Sequence, residues 1–170
     1  SVLVQAVAEV IKSVQNKIEV LFVGPDDNSG LKRELKDQIE DLNMTEIFHF
    51  IGSIDEMKNV YALSDIVISS STDPEAFGRI SVEAQSMGKF VIASNHGGSK
   101  ETIINNKTGY LYSPANYKEL SKMIIKAINN NKHDSEEIFK ASENNVRENY
   151  SLDQMCKETL KFYKQILGFE

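Results

Sequence analysis

The chain has one cysteine, Cys156, so no intrachain disulfide can form, and a reducing compartment fits. Long apolar runs are also missing: Ile66 to Ile68 and Phe90 to Ala93 fall far short of the roughly 20 residues a membrane helix needs. Ser1 to Val14 carries acidic and basic residues among its apolar positions, so no uncharged signal-peptide core is expected. No basic run offsets the formal charge of −6, which argues against a nucleic-acid partner. That charge still allows an anionic small ligand, because exposed charges are screened beyond about 8 Å at physiological salt. G-x-G-x-x-G, P-loop and H-E-x-x-H motifs are absent, and His49, His96 and His133 lie far apart, so a metal site is not expected. Spacing leaves a Ser-His-Asp triad open, but no G-x-S-x-G elbow supports one. The sequons at Asn43, Asn106 and Asn149 read as coincidence in an asparagine-rich chain.

What remains is 170 residues, 41% of them hydrophobic, enough for the core of one domain. Helical and strand-like patterns alternate. Val2 to Val14 is helical, Glu19 to Val23 a strand halted by "GPDD", Leu31 to Leu42 a helix, and "IFHFIG" a strand ending at Gly52. A helix from Asp55 to Leu63 follows, with Asp55 as its cap. "IVISS" and "FVIAS" read as buried strands around a helix from Ile80 to Met87. "TGYLYS" is a short strand, and Tyr117 to Ile128 a helix. Strands without polar alternation, taken in turn with helices, predict a Rossmann-like α/β fold: a doubly wound parallel sheet with helices on both faces. From Ser135 the chain is charged and resolves into helices near Glu136 to Asn149 and Leu152 to Leu167, packing outside the sheet or against something absent.

Such a sheet binds ligands at the carboxyl ends of its strands, so the loops after Val23, Gly52, Ser70 and Ser94 are the places to search. The third is the most informative. It runs "STDPEAFG" into a helix beginning near Arg79. Pro74 forces an extended approach, and Gly78 lets backbone come close to a ligand. The free N–H groups of Gly78, Arg79 and Ile80 then converge on one spot, a ready anion site. Glu83, five residues on, is about 8 Å along the helix axis, while Glu75 precedes the helix. The two carboxylates suit grips on the ends of a long ligand better than a retaining pair about 5–5.5 Å apart across one bond. Carboxylates accept from vicinal hydroxyls, so sugar, phosphate and ribose in line would fit them.

"EAFGRISVE" is similar to the E-x7-E signature of the group 1 retaining glycosyltransferases, and "EAQSMGKFVIASNHGGSKETIINNKTGYLY" resembles the segment that follows it. "VLFVGPDD", "FHFIGSID" and "VYALSDIVISSS" resemble the strands and loops upstream, so the likeness spans Ile18 to Ile128. In that family two Rossmann-like domains face each other across a cleft, the GT-B architecture, and the C-terminal one binds the nucleotide-diphosphate sugar. The resemblance implies that Glu75 is catalytic and contacts the donor sugar's hydroxyls, and that Glu83 accepts from the ribose. The amides of Phe77, Gly78 and Arg79 would meet sugar and diphosphate, and the loop of Ser53 and Ile54 would touch the base. No metal or other cofactor is expected, because family members transfer sugar with retention and without a bound metal.

Family C-terminal domains open with a strand and a glycine-rich turn carrying an arginine and a lysine, whereas this chain starts at the following helix. Residues 1–170 are therefore expected to be a single donor-binding domain whose first strand and partner, the N-terminal acceptor domain, lie elsewhere, and which is inactive by itself. The family resemblance points to polysaccharide or lipopolysaccharide assembly in the cytoplasm, with peripheral contact at the inner face of the membrane through the missing domain. A nucleotide-sugar epimerase of the same fold and a non-catalytic nucleotide-binding scaffold are the alternatives. Plainer roles stand beside these: Glu83 as a solvated helix charge, Phe77 packed under its loop, and Arg79 acting by amide rather than side chain. His96 with Gly97-Gly98 reads either as a donor-side loop or as a simple strand-to-helix turn, and Cys156 as a packing residue.

Overall fold

The computed structural model describes residues 1–25, 30–130 and 132–168. In chain order the elements are α1 (Val2–Val10), β1 (Val20–Val23), α2 (Leu31–Asp41), β2 (Phe48–Gly52), α3 (Met57–Leu63), β3 (Ile66–Ser69), α4 (Arg79–Ser86) and β4 (Phe90–Ser94). They continue with α5 (Ser99–Thr102), β5 (Tyr110–Tyr112), α6 (Tyr117–Asn129), α7 (Lys132–Asn149) and α8 (Leu152–Leu167). Among the described residues no helix is long and apolar enough to cross a membrane.

All the strand pairs are parallel: β1 with β2, β3 with β4, and β4 with β5. β4 explains the layering. Its five residues are all buried. Phe90 and Ile92 join one apolar cluster with Val4, Val7 and Val10 of α1, Tyr110 and Tyr112 of β5, and Leu120 and Ile124 of α6. Val91 and Ala93 join another with Tyr61 of α3, Ala84 of α4 and Ile103. Successive side chains point to opposite faces of a strand, so a strand covered on both faces must be apolar without alternation. The predicted parallel sheet with helices on both faces is therefore present.

The sheet is not continuous among the described residues. β1-β2 and β3-β4-β5 form separate hydrogen-bonded groups, because β1 and β3 each pair on one edge only and not with each other.

Three local expectations are corrected. α1 ends at Val10 rather than Val14: the turn tightens as Ser13 N donates to Val10 O at 2.9 Å and the Ser13 hydroxyl donates to Glu9 O at 3.3 Å, a side-chain bond to backbone that competes with the helix ladder. α3 starts at Met57 with Glu56, not Asp55, as N-cap, and no side chain caps it. Cys156 is exposed rather than packed, because α8 has no buried residue at all. α7 behaves differently from α8, seating Ile138, Ser142, Asn145 and Val146 in the interior. α5 has no counterpart in the sequence reading. A four-residue helix is about one turn, too short for a 3.6-residue period to register.

Candidate functional site

The loop from β3 to α4 takes its shape from backbone packing. Gly98 N donates to Glu75 O at 2.8 Å. A Cβ added at Gly97 would sit 2.4 Å from Glu75 O, and one at Gly98 would sit 2.3 Å from the Phe77 carbonyl carbon and oxygen. No side chain fits at either position without moving main chain. His96 ties down the same loop: its Nε2 lies 3.1 Å from Ser71 O and must donate, since a carbonyl can only accept. His96, Gly97 and Gly98 thus form the floor beneath the loop.

At the loop's end Gly78 is the N-cap of α4 with φ 80° and ψ 50°, a left-handed conformation that glycine adopts readily. The space its Cβ would take is against Ser99 N at 3.4 Å and Gly98. The left-handed conformation by itself demands glycine here. No side chain caps this end. The helix ladder begins with Ser81 N and Val82 N donating to Gly78 O, so the amides of Gly78, Arg79 and Ile80 are not used by the ladder, as at any helix start. Phe77 is 47% exposed and meets Tyr150 edge-on, with ring centroids 5.8 Å apart. It neither lies under the loop nor points clear of the fold.

Beyond Gly78 the carboxylates are both held. Ser69, buried at the end of β3, donates from Oγ to Glu75 Oε1 at 3.2 Å. Tyr61 of α3, 4% exposed, donates from Oη to Glu83 Oε2 at 2.9 Å. Burial first, and then the bond to Glu83, pushes the Tyr61 phenol pKa up, so it stays a donor across the physiological range. Arg79 Nη2 reaches Glu83 Oε1 at 2.9 Å, with an Arg79 side chain 83% exposed. The arginine is therefore engaged with Glu83 across one helical turn. Glu83 also lines a cavity of about 320 Å³ with Met57, Lys58, Tyr61, Ser86 and Met87. Ile54, partly buried, lies on the loop from β2 that leads into α3.

Glu75, Phe77, Gly78, Arg79 and Glu83 are thus brought together on one loop and one helix, and Ile54 stands at the entrance of the neighbouring helix. The loop after Val23 falls partly outside the described residues. Sequence reading missed the support behind α4. Gln85, fully buried, donates from Nε2 to Ser81 O and Thr102 O, both at 3.1 Å. Asn145 of α7 donates to Thr102 O at 3.1 Å and to Gln85 Oε1 at 3.4 Å. Buried polar groups need such partners, yet in sequence a glutamine and an asparagine on helices read as solvent-facing.

Among the described residues, no three His, Cys, Asp or Glu side chains gather as a metal site.

Comparison with known proteins returns one family model, described as glycosyl transferases group 1, over residues 1–145. A glycosyltransferase from Rickettsia africae superposes with a TM-score of 0.90 at 34% identity, over 98% of this chain and 44% of that one. Anabaena Alr3699/HepE in complex with UDP and glucose gives 0.84 at 27% identity, over 94% of this chain and 44% of that one. The lipopolysaccharide 1,2-N-acetylglucosaminetransferase of Salmonella typhimurium is 29% identical over 106 residues, 59% of this chain and 28% of its own length. The chain spans less than half the length of each.

Proposed function

The chain belongs to the group 1 glycosyl transferases and has the fold of a GT-B C-terminal domain, and from that premise we propose that residues 1–170 are a single donor-binding domain. The full-length protein would transfer a sugar, with retention, from a nucleotide-diphosphate sugar to an acceptor in cell-surface polysaccharide or lipopolysaccharide synthesis. The observation that carries this reading is the arrangement around Gly78: an uncapped helix start flanked by two carboxylates, each held by a buried hydroxyl.

In this reading the diphosphate meets the first-turn amides of α4, where the helix dipole favours negative charge. Glu75 accepts from the sugar's hydroxyls, and its charge beside the reacting carbon favours the positive character of a glycosyl transition state. Glu83 accepts from the ribose, Phe77 and Arg79 contribute main-chain amides, and the Ile54 loop borders the base. With the diphosphate met by amides, no metal or organic cofactor is called for; turnover of the full-length protein unchanged in EDTA is the expected result. The UDP and glucose bound by the Anabaena relative support a nucleotide-sugar partner, and the Salmonella relative's acceptor supports the pathway.

Two features support the rest of the molecule. β1 and β3 each keep one unpaired edge among the described residues, and one further parallel strand between them would satisfy both. α8 presents Leu152, Met155, Leu160, Tyr163, Ile166 and Leu167 to solvent, each more than half exposed, a face suited to the acceptor domain of the same protein. The setting would be cytoplasmic, in keeping with a lone cysteine, with lipid-linked acceptors met at the inner membrane face.

The deciding experiment is calorimetric titration with UDP-, GDP- and ADP-sugars of the full-length protein and of this domain extended by its preceding strand. Binding of one class by both is expected, with turnover by the full-length protein alone. No binding of any class to either would overturn the proposal.

A further inference from the structure

A glutamate on the surface of a helix or loop samples many rotamers, and fixing one costs conformational entropy. A ligand that must do the fixing binds more weakly by that amount. Neither glutamate of this site is left to do so. Tyr61 Oη is 2.9 Å from Glu83 Oε2, and Ser69 Oγ is 3.2 Å from Glu75 Oε1. Both donors come from packed elements rather than from the surface: Tyr61 is 4% exposed and Ser69 5%. Tyr61 also belongs to the apolar cluster on the α4 side of β4, with Val67, Ala84 and Val91, so its ring is fixed by packing. Arg79 cannot substitute for it, because an ion pair with an 83% exposed guanidinium is weak and screened.

Each carboxylate oxygen carries two lone pairs. On Glu83 the Tyr61 hydroxyl occupies one lone pair of Oε2 and Arg79 one of Oε1, on Glu75 the Ser69 hydroxyl occupies one of Oε1, and the remaining lone pairs stay available. The Glu83 side chain keeps 38% of its surface exposed, beside the cavity it shares with Tyr61. A vicinal diol, which offers two O–H donors side by side, matches an anchored carboxylate of this kind.

We propose that Tyr61 and Ser69 are positioning residues that orient Glu83 and Glu75, respectively, for the hydroxyls of the bound donor. This rests on the donor-binding reading above, and it assigns the two hydroxyls to different ends of the ligand. Tyr61 serves the nucleoside end and Ser69 the sugar end.

The test is titration of the full-length protein, wild type and variants, with the nucleoside diphosphate and with its sugar conjugate, alongside thermal melts. Tyr61→Phe removes one oxygen and keeps the ring. It is expected to weaken binding of the nucleoside diphosphate about five- to twenty-fold, with folding retained. In a Glu83→Gln background the same change is expected to cost much less, because Tyr61 acts through that carboxylate. Ser69→Ala is expected to leave the bare nucleotide unaffected and to weaken only its sugar conjugate. Wild-type affinity in Tyr61→Phe, or a loss undiminished in the Glu83→Gln background, would overturn the role of Tyr61 while the donor reading stands. Equal loss for nucleotide and conjugate in Ser69→Ala would overturn the role of Ser69. A wild type that binds no nucleoside diphosphate removes the donor reading and this inference with it.

Discussion

Glu75 stands on a loop whose closest neighbours are backbone atoms, and Glu83 stands on a helix whose closest neighbours are side chains. The loop rests main chain to main chain on Gly97 and Gly98, where no side chain fits. The helix is held by Tyr61, Ala84 in the core, and the Gln85–Asn145–Thr102 network. The first arrangement tolerates no added atom but needs few particular side chains. The second tolerates small shifts but depends on the identity of several residues. One site is thus built with two kinds of precision, and each fails in its own way.

The largest expected effect breaks the loop side. Gly98→Val places carbon against the Phe77 carbonyl at 2.3 Å, and main chain must move. Overpacking of this kind costs about 1–3 kcal/mol or more, and donor affinity is expected to fall by at least a hundredfold because Glu75 and the helix start shift together. Calorimetry with the nucleotide sugar measures it, and near-normal affinity would show that the glycine floor is dispensable.

Next is Gln85→Leu, which breaks the helix side. It leaves Asn145 short of a partner and Thr102 O with one donor fewer, a loss of about 1–3 kcal/mol read as a lower melting temperature. Nucleotide affinity should fall less than in the glycine variant. Glu83→Gln sharpens the comparison, since it keeps the shape and removes the charge. Donor binding should weaken about tenfold, as expected for hydrogen bonds to a charged acceptor, while the melting temperature hardly changes. If affinity and turnover were both unaltered, the ribose role would be wrong. Arg79→Ala should be the mildest, because exposed ion pairs contribute about 0.2–1 kcal/mol. A change in affinity beyond about fivefold would mean that the Arg79 side chain, not only its amide, meets the ligand.

This division also explains what was legible in the sequence. The strand-helix alternation around β4 was readable because both faces of that strand are covered, and covered strands spell themselves as unbroken apolar runs. The Glu75-to-Glu83 stretch was readable because proline, glycine and charge sit close together in the chain. The glycine floor was visible only as a pair of letters after "FVIAS"; that it carries the opposite loop depends on a packing contact between segments about twenty residues apart. Tyr61 was hidden because a tyrosine in an apolar helix reads as core, which it also is, and its hydroxyl's partner lies 22 residues away. The end of α1 and the start of α3 were misplaced where the Ser13 hydroxyl donates to Glu9 O and where Asn59 N donates to Glu56 O, local bonds that the periodic pattern does not carry.

α8 carries the chain's only thiol, Cys156, one turn after Leu152 and on the same face as Tyr163 two turns later. A single exposed sulfur makes chemical labelling homogeneous without any mutagenesis. An environment-sensitive fluorophore attached there would sit among the side chains that now face water. Its emission would shift to the blue when that face becomes covered, turning this residue into a gauge of whether the apolar side of α8 has found a partner.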